Sequence, residues 1–217
     1  MFGRNTGPGR SGFKSNFFRL QRAPGMSREL GYVDIAAADY ALNTTGSIVL
    51  LNTVAQGAAV TQRVGKKIAL KGLQCRGLMV ADATAAVNDV AYLIVYDKRP
   101  TGALPNITDI LNTVNSNSMN NDANAGRFSI LKRVDEFLIG NASFTGAVAN
   151  ALTEKTGCGQ DWWLDLKGRE TVYKSAATGA IGDIEQGALY LVTVGSNAAG
   201  TTDATLTVGF RLRFLDI

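Results

Sequence analysis

The stretch 205–217, TLTVGFRLRFLDI, alternates with a period of two over five pleats. Leu206, Val208, Phe210, Leu212 and Phe214 fall on one face; Thr207, Arg211 and Arg213 fall on the other, with Gly209 among them. Only an extended chain keeps i, i+2 and i+4 on one side, so this is a long half-buried β-strand. Standing last, it has to be held on both sides by strands that come earlier. That points to a Greek-key or jelly-roll arrangement rather than a meander with a loose end.

The rest of the chain supplies the partners. Strands are expected at 47–52 (SIVLLN), 67–80, 90–96 (VAYLIVY), 128–139, 161–166, 170–173 and 188–194 (ALYLVTV). Stretch 29–41 alternates imperfectly and reads as an edge strand or an ordered lead-in. In 67–80 the phase slips: Ile68 and Leu70 share one face, while Leu73, Cys75 and Met79 share the other. A bulge near Gly72 accounts for the slip. A bend is expected at 132–135, a turn at Lys167-Gly168, a short helix after Asn106 and a helical turn near Asp183. The Asn- and Ser-rich stretch 112–126 reads as a mobile solvated loop, with too few acids for a calcium site. Turn-punctuated strands with almost no helical periodicity give an all-β sandwich of two sheets. Several strands are apolar on both faces, more than one sandwich core buries. Subunit contacts would absorb the surplus, and covering loops would also serve.

Composition narrows the chemistry. Among 217 residues there is no histidine. That removes Ser-His-Asp and Cys-His catalysis, HExxH metal sites and most imidazole proton transfer. Cys75 and Cys158 are too few for a thiolate zinc site and read as reduced thiols, Cys75 in the core. No paired-carboxylate pattern or phosphate-cradling glycine motif stands out, so no catalytic residue, cofactor or metal is expected. No apolar run reaches about 18 residues, so no membrane span is expected. The first 28 residues carry no secretory h-region, so the sequons at Asn43, Asn106 and Asn141 read as chance matches.

Charge is uneven. Residues 1–28 hold Arg4, Arg10, Lys14, Arg19, Arg22 and Arg28 and no acid, a net +6. The remainder holds 16 basic and 18 acidic side chains. The basic character thus belongs to an N-terminal arm on a near-neutral body, the pattern of a polyanion binder. The arm is rich in Gly, Ser and Asn and reads as disordered in the free subunit. Phe13, Phe17 and Phe18 stand among its cations, placed either to stack on unpaired bases or to pin the arm to the body. Lys66, Lys67, Lys71, Arg211 and Arg213 form a second candidate nucleic-acid surface on the body. Ordinary strand-face charges or inter-subunit ion pairs are the competing reading. Trp162 and Trp163 are adjacent, so on a strand they point to opposite faces. One belongs to the core; the other is an interface anchor or a stacking platform.

Five short motifs, in order, carry a resemblance. They are Arg63-Val64-Gly65-Lys66-Lys67-Ile68 with Leu70-Lys71-Gly72-Leu73; Tyr96-Asp97-Lys98-Arg99-Pro100 with Gly102-Ala103-Leu104-Pro105 and Asp109-Ile110-Leu111; Arg127-Phe128-Ser129-Ile130-Leu131; Gly187-Ala188-Leu189-Tyr190; and Arg211-Leu212-Arg213-Phe214-Leu215-Asp216. Together, after a basic arm, they resemble capsid proteins of small circular Rep-encoding single-stranded DNA viruses, circovirus- and geminivirus-like. More distantly, the chain is similar to satellite RNA virus coats.

The resemblance implies a single jelly roll of eight strands in two packed antiparallel four-stranded sheets, with strand B at 47–52 and strand I at 205–217, behind an arm ending at residue 28. It implies a homo-oligomeric, T=1-like icosahedral shell around circular single-stranded DNA, bound without sequence specificity. It implies a virion component that recognises a host receptor and passes through the host nucleus during assembly. Family arms are dense in arginine; here the cations stand singly among Gly, Ser and Asn. Two other readings compete: a lectin-like carbohydrate-binding jelly roll, using the long loops and an exposed tryptophan, and the coat of a small RNA or satellite virus.

Overall fold

The computed structural model describes residues 30–82, 85, 87–140, 157–174, 177–200 and 203–217. The arm at 1–28, with its six cations and with Phe13, Phe17 and Phe18, lies outside them, as does Asn141. The described chain forms strands β1 (Leu30–Leu42), β2 (Ser47–Leu50), β3 (Lys67–Val80), β4 (Val87–Asp97), β5 (Phe128–Ile139), β6 (Gly157–Tyr173), β7 (Ile184–Gln186), β8 (Ala188–Gly195) and β9 (Ala204–Asp216), with one short helix, α1 (Ile107–Ile110).

One sheet runs β1-β9-β3-β6-β7 and the other β2-β8-β4-β5, and the paired strands are antiparallel. The closing strand β9 is held on both sides, by β1 and β3, as expected. Without the three-residue β7, the sheets hold four strands each. Lettered B to I along the chain, their orders read B-I-D-G and C-H-E-F, the jelly roll.

The structure differs from the expected strands in two places. Strand B is β1, not the stretch after Ser47, which is strand C. The alternation of β1 looked broken because the strand bulges between Ile35 and Ala38, where its register against β9 shifts. The two short strands expected at 161–166 and 170–173 are one continuous β6. Lys167 and Gly168 do take left-handed φ values of 53° and 70°, which suit a hairpin turn. Here β3 runs past them and itself bulges between Leu70 and Gly72, so the ladder resumes beyond the kink. The expected bulge near Gly72 is therefore present, with a matching distortion on its neighbour. The bend of β5 falls at Leu131, skipped between Ile130 and Lys132 in the pairing with β4.

The core lies between the sheets. Leu206, Val208, Phe210, Leu212 and Phe214 are each at most 3% exposed and meet Ile68, Leu70, Leu73, Cys75 and Met79 from β3. A polar clamp crosses the core: the Tyr92 hydroxyl donates to Gln160 Oε1 and accepts from the Trp162 indole N–H at 2.8 Å. It joins β4 of one sheet to β6 of the other.

The outer face of the four-stranded sheet is also buried. Leu93, Val95, Tyr190 and Val192 point away from the inter-sheet core yet are fully inaccessible. The long connection between β4 and β5 covers that face. Ile107, Ile110 and Leu111 join the core cluster, with Val114 packed on it. Arg133 donates to the backbone carbonyls of Ser118 (2.7 Å) and Ser116, and Asn117 donates to Asp89 at 2.6 Å. The surplus apolar faces are therefore met by the chain's own loop, not by a subunit contact, and the Asn-rich stretch is a fastened cover rather than a mobile loop. Asp109 closes the first turn of α1 by accepting the Asn106 backbone N–H at 2.9 Å.

Candidate nucleic-acid interface

Among the described residues, no segment covers the second face of the five-stranded sheet. Side chains of β9 alternate, so the five core residues force Arg211 and Arg213 outward. The pairing of β3 then sets the rows across the sheet. One row reads Trp163 (β6), Gln74 (β3), Arg211 (β9), Asp34 (β1). The next reads Asp165, Gly72, Arg213, Tyr32.

Of the five candidate cations on the body, Lys67, Lys71, Arg211 and Arg213 belong to this sheet, and Lys66 is exposed at the approach to β3. Most are already engaged. Arg211 grips Asp34 with two hydrogen bonds, 2.6 and 2.8 Å, and its guanidinium lies 5.0 Å from the Tyr32 ring centroid. Those bonds hold the Asp34 carboxyl below its usual range and push the arginine up. Lys67 pairs with Glu170 at 2.8 Å. Arg213 sits 5.7 Å from the Trp163 ring centroid, and its Nε is buried without a hydrogen-bond partner. Lys71 makes no ion pair among the described residues. Arg76, a further cation, approaches Asp161 at 3.4 Å while staying 74% exposed. Acids and bases thus alternate over the face, and no strong single-sign field arises. Strong positive charge is left to the arm.

Trp162 and Trp163 separate as adjacent strand residues must: Trp162 packs on the core beside Tyr92 and Phe210, and Trp163 is 52% exposed. Beside it, between the β1 bulge and the row of Gln74 and Arg76, the face dips into a shallow groove bounded by Asp34, Gly209 and Arg211.

Three structural residues carried no functional signal in the sequence. Arg63 is fully buried in the loop before β3; it donates to the carbonyls of Val54 and Gly65 and lies 4.1 Å from the Tyr173 ring centroid. Asp97 is buried against Arg127. Asp216 accepts the backbone N–H groups of Val64 and Gly65, fastening the chain's last strand to the turn before β3. All three lie within the resemblance motifs, whose residues therefore include fold-holding contacts.

The described residues form a two-sheet jelly roll with a covering loop. The chain belongs to the geminivirus coat protein/nuclear export factor BR1 family, whose model matches residues 10–216. It is 27% identical over 162 residues to the capsid protein of Miscanthus streak virus (isolate 91), covering 68% of this chain and 63% of that protein. It is 31% identical over 123 residues to the coat protein of Maize white line mosaic Satellite virus, covering 55% of this chain and 56% of that protein. The chain thus spans about 60% of the length of these relatives. A solved structure of Desmodium yellow mottle tymovirus aligns at a TM-score of 0.33 and 11% identity, covering 100% of this chain and 96% of that one. The fold assignment rests on the strand order. Both sequence relatives are named as capsid or coat proteins.

Proposed function

We propose that the chain self-assembles into a small, T=1-like icosahedral shell and packages circular single-stranded DNA. In this reading residues 1–28 form an inward-facing arm and residues 29–217 the shell-forming body. Arg4, Arg10, Lys14, Arg19, Arg22 and Arg28 neutralise phosphates, with Lys66, Lys67, Lys71, Arg211 and Arg213 as secondary contacts. The observation that carries it is the concentration of +6 in a stretch without acids, joined to a coat-protein jelly roll of near-neutral charge. Many copies of the arm converge inside a shell, so weak contacts sum through multivalency. Such binding is sequence-independent and falls steeply with salt. Passage through the host nucleus during assembly belongs to the same reading.

The test is sedimentation with negative-stain electron microscopy of the full-length protein at low and high salt, recording absorbance at 260 nm. Uniform spheres carrying nucleic acid are expected. Deleting residues 1–28 should leave a folded body without packaged nucleic acid; unchanged nucleic-acid content would overturn the role of the arm. Nuclease sensitivity of the extracted genome separates DNA from RNA. A stable monomer in every condition would remove the shell and bring forward the carbohydrate-binding alternative, which a glycan screen tests.

A further inference from the structure

We propose that the open face of the five-stranded sheet carries a base-stacking subsite for single-stranded nucleic acid, centred on Trp163. This rests on the packaging reading and adds to it a contact on the body, apart from the arm.

The local geometry builds the site. Trp163 is half exposed on a sheet whose other large aromatic at this level, Trp162, is turned inward. Its benzo ring is seated over Gly72: a Cβ on that glycine would meet Cζ2, Cη2 and Cε2 at 1.9, 2.5 and 2.7 Å. The indole therefore lies against the sheet rather than projecting from it. Arg213 stands at 5.7 Å from the ring centroid, and Tyr32 with Arg211 repeats the aromatic–guanidinium pairing at 5.0 Å toward the sheet's edge. Between them Gln74 sits directly opposite both Trp163 and Arg211. Its amide makes no hydrogen bond among the described residues. The shallow groove beside it is lined by Gln74, Arg76 and Arg211.

These groups match the parts of an unpaired nucleotide. An aromatic face takes a base, an amide reads a base edge, and guanidinia take phosphates. Adjacent strands are about 4.8 Å apart, so the Trp163–Gln74–Arg211 row spans roughly 10 Å, the scale of one nucleotide from base to phosphate. A duplex hides its base faces, so the occupant is single-stranded. Asp161 and Asp165 flank Trp163 on β6, and Asp34 neutralises part of Arg211. The carboxylates repel phosphate from the β6 side and leave the backbone path over Arg213, Arg211 and Arg76. The same carboxylates keep the affinity modest, so stacking rather than net charge dominates the contact.

The test uses the full-length chain with an oligo-dT strand carrying bromodeoxyuridine. Cross-linking followed by peptide mapping should mark Trp163. Trp163→Ala should weaken oligonucleotide binding about 5-fold to about 150-fold, the range of a lost base–aromatic stack. Trp163→Phe, which keeps a π face, should recover most of it and controls for misfolding. Cross-links confined to residues 1–28, with Trp163→Ala binding like the unaltered chain, would overturn the subsite and leave the arm reading intact. Absence of binding by the full-length chain at low salt would overturn both. A blue shift of Trp163 emission with loss of acrylamide quenching when nucleic-acid-free particles assemble would assign the face to a subunit contact and overturn the subsite alone.

Discussion

The indole of Trp163 fills the space that a side chain at residue 72 would need, 1.9 Å from the position of its Cβ. The glycine is required there by close approach rather than by backbone conformation. Gly72→Ala should swing the half-exposed ring off the sheet and away from Arg213. Because the ring is the free end of a side chain, the cost in stability should be small, about 0.5–1 kcal/mol from the lost cation–π contact. The readout is tryptophan emission: a red shift and greater quenching by acrylamide with little change in melting temperature. A large drop in melting temperature with unchanged emission would contradict the geometry.

Asp97 is fully buried, and Arg127 meets both its oxygens, Nε at 3.0 Å and Nη2 at 2.8 Å. The pair ties the two ends of the covering loop together where it leaves β4 and enters β5. Arg127→Ala strands a buried carboxylate and should cost about 3–5 kcal/mol. Asp97→Asn should cost less, since Arg127 keeps 26% exposure and reaches water. Urea unfolding of the dissociated subunit, read as a shift in midpoint at constant slope, separates the two.

Much of the fold was legible because it follows from side-chain alternation. The five inward residues of β9 declared both their face and the strand's length, and the phase slip in β3 declared its bulge. What misled was distortion that lacked a local marker. The β1 bulge falls in Ala36-Ala37, residues with no turn chemistry, so the sequence left open an edge strand or a lead-in, and the structure shows a 13-residue edge strand. Lys167-Gly168 has the chemistry of a turn but is a kink, and only the pairing partner β3 decides between them. The covering loop was unreadable for a similar reason: Ile107, Ile110, Leu111 and Val114 are apolar, but which face they cover is a long-range fact. At the candidate interface the outward direction of Arg211 and Arg213 followed from period two. Their acidic and aromatic neighbours did not, since Asp34 lies 177 positions from Arg211 in sequence.

Tyr92 links the sheets through its single hydroxyl, donating to Gln160 and accepting from Trp162. Tyr92→Phe leaves both partners unsatisfied with almost no change in volume. The expected loss is about 1–3 kcal/mol, from desolvated groups left without partners rather than from packing. Denaturation of the dissociated subunit measures it, and Tyr92→Phe combined with Gln160→Leu should recover part of the loss. Independent, additive losses would show that the clamp is not one unit.

Both cysteines are thiols outside any disulfide, and they differ in access. Burial pushes the Cys75 thiol up to about 12, so at pH 8 it stays protonated as well as inaccessible. Cys158 is half-buried at 3.3 Å from Glu136. Iodoacetamide at pH 8 should therefore label Cys158 in the native protein and Cys75 only after unfolding. Mass mapping of the carbamidomethylated peptides decides it, and native labelling of Cys75 would mean that the core opens locally.

The Asp34–Arg211 pair sets a pH dependence of defined sign. Hydrogen bonds from Arg211 lower the Asp34 carboxyl below 3.8. A group whose folded value is depressed stabilises the fold above its unfolded value, and that contribution is lost as pH falls through the folded one. The pair should therefore contribute a constant amount from neutrality down to about pH 5, begin to weaken near the ordinary carboxylate value of about 3.8, and vanish below it. Both side chains are close to half exposed, 46% for Arg211 and 49% for Asp34, so solvent and salt screen the effect. Stability should scarcely register Asp34→Asn. Carboxyl NMR titration is the sensitive measurement: the Asp34 midpoint should lie below 3.8 in the unaltered chain and move back up in Arg211→Gln. Equal midpoints in the two proteins would mean that the bidentate pair does not persist in solution. Arg211 would then be free to bind phosphate alone, and its loss would weaken oligonucleotide binding more than its pairing with Asp34 allows.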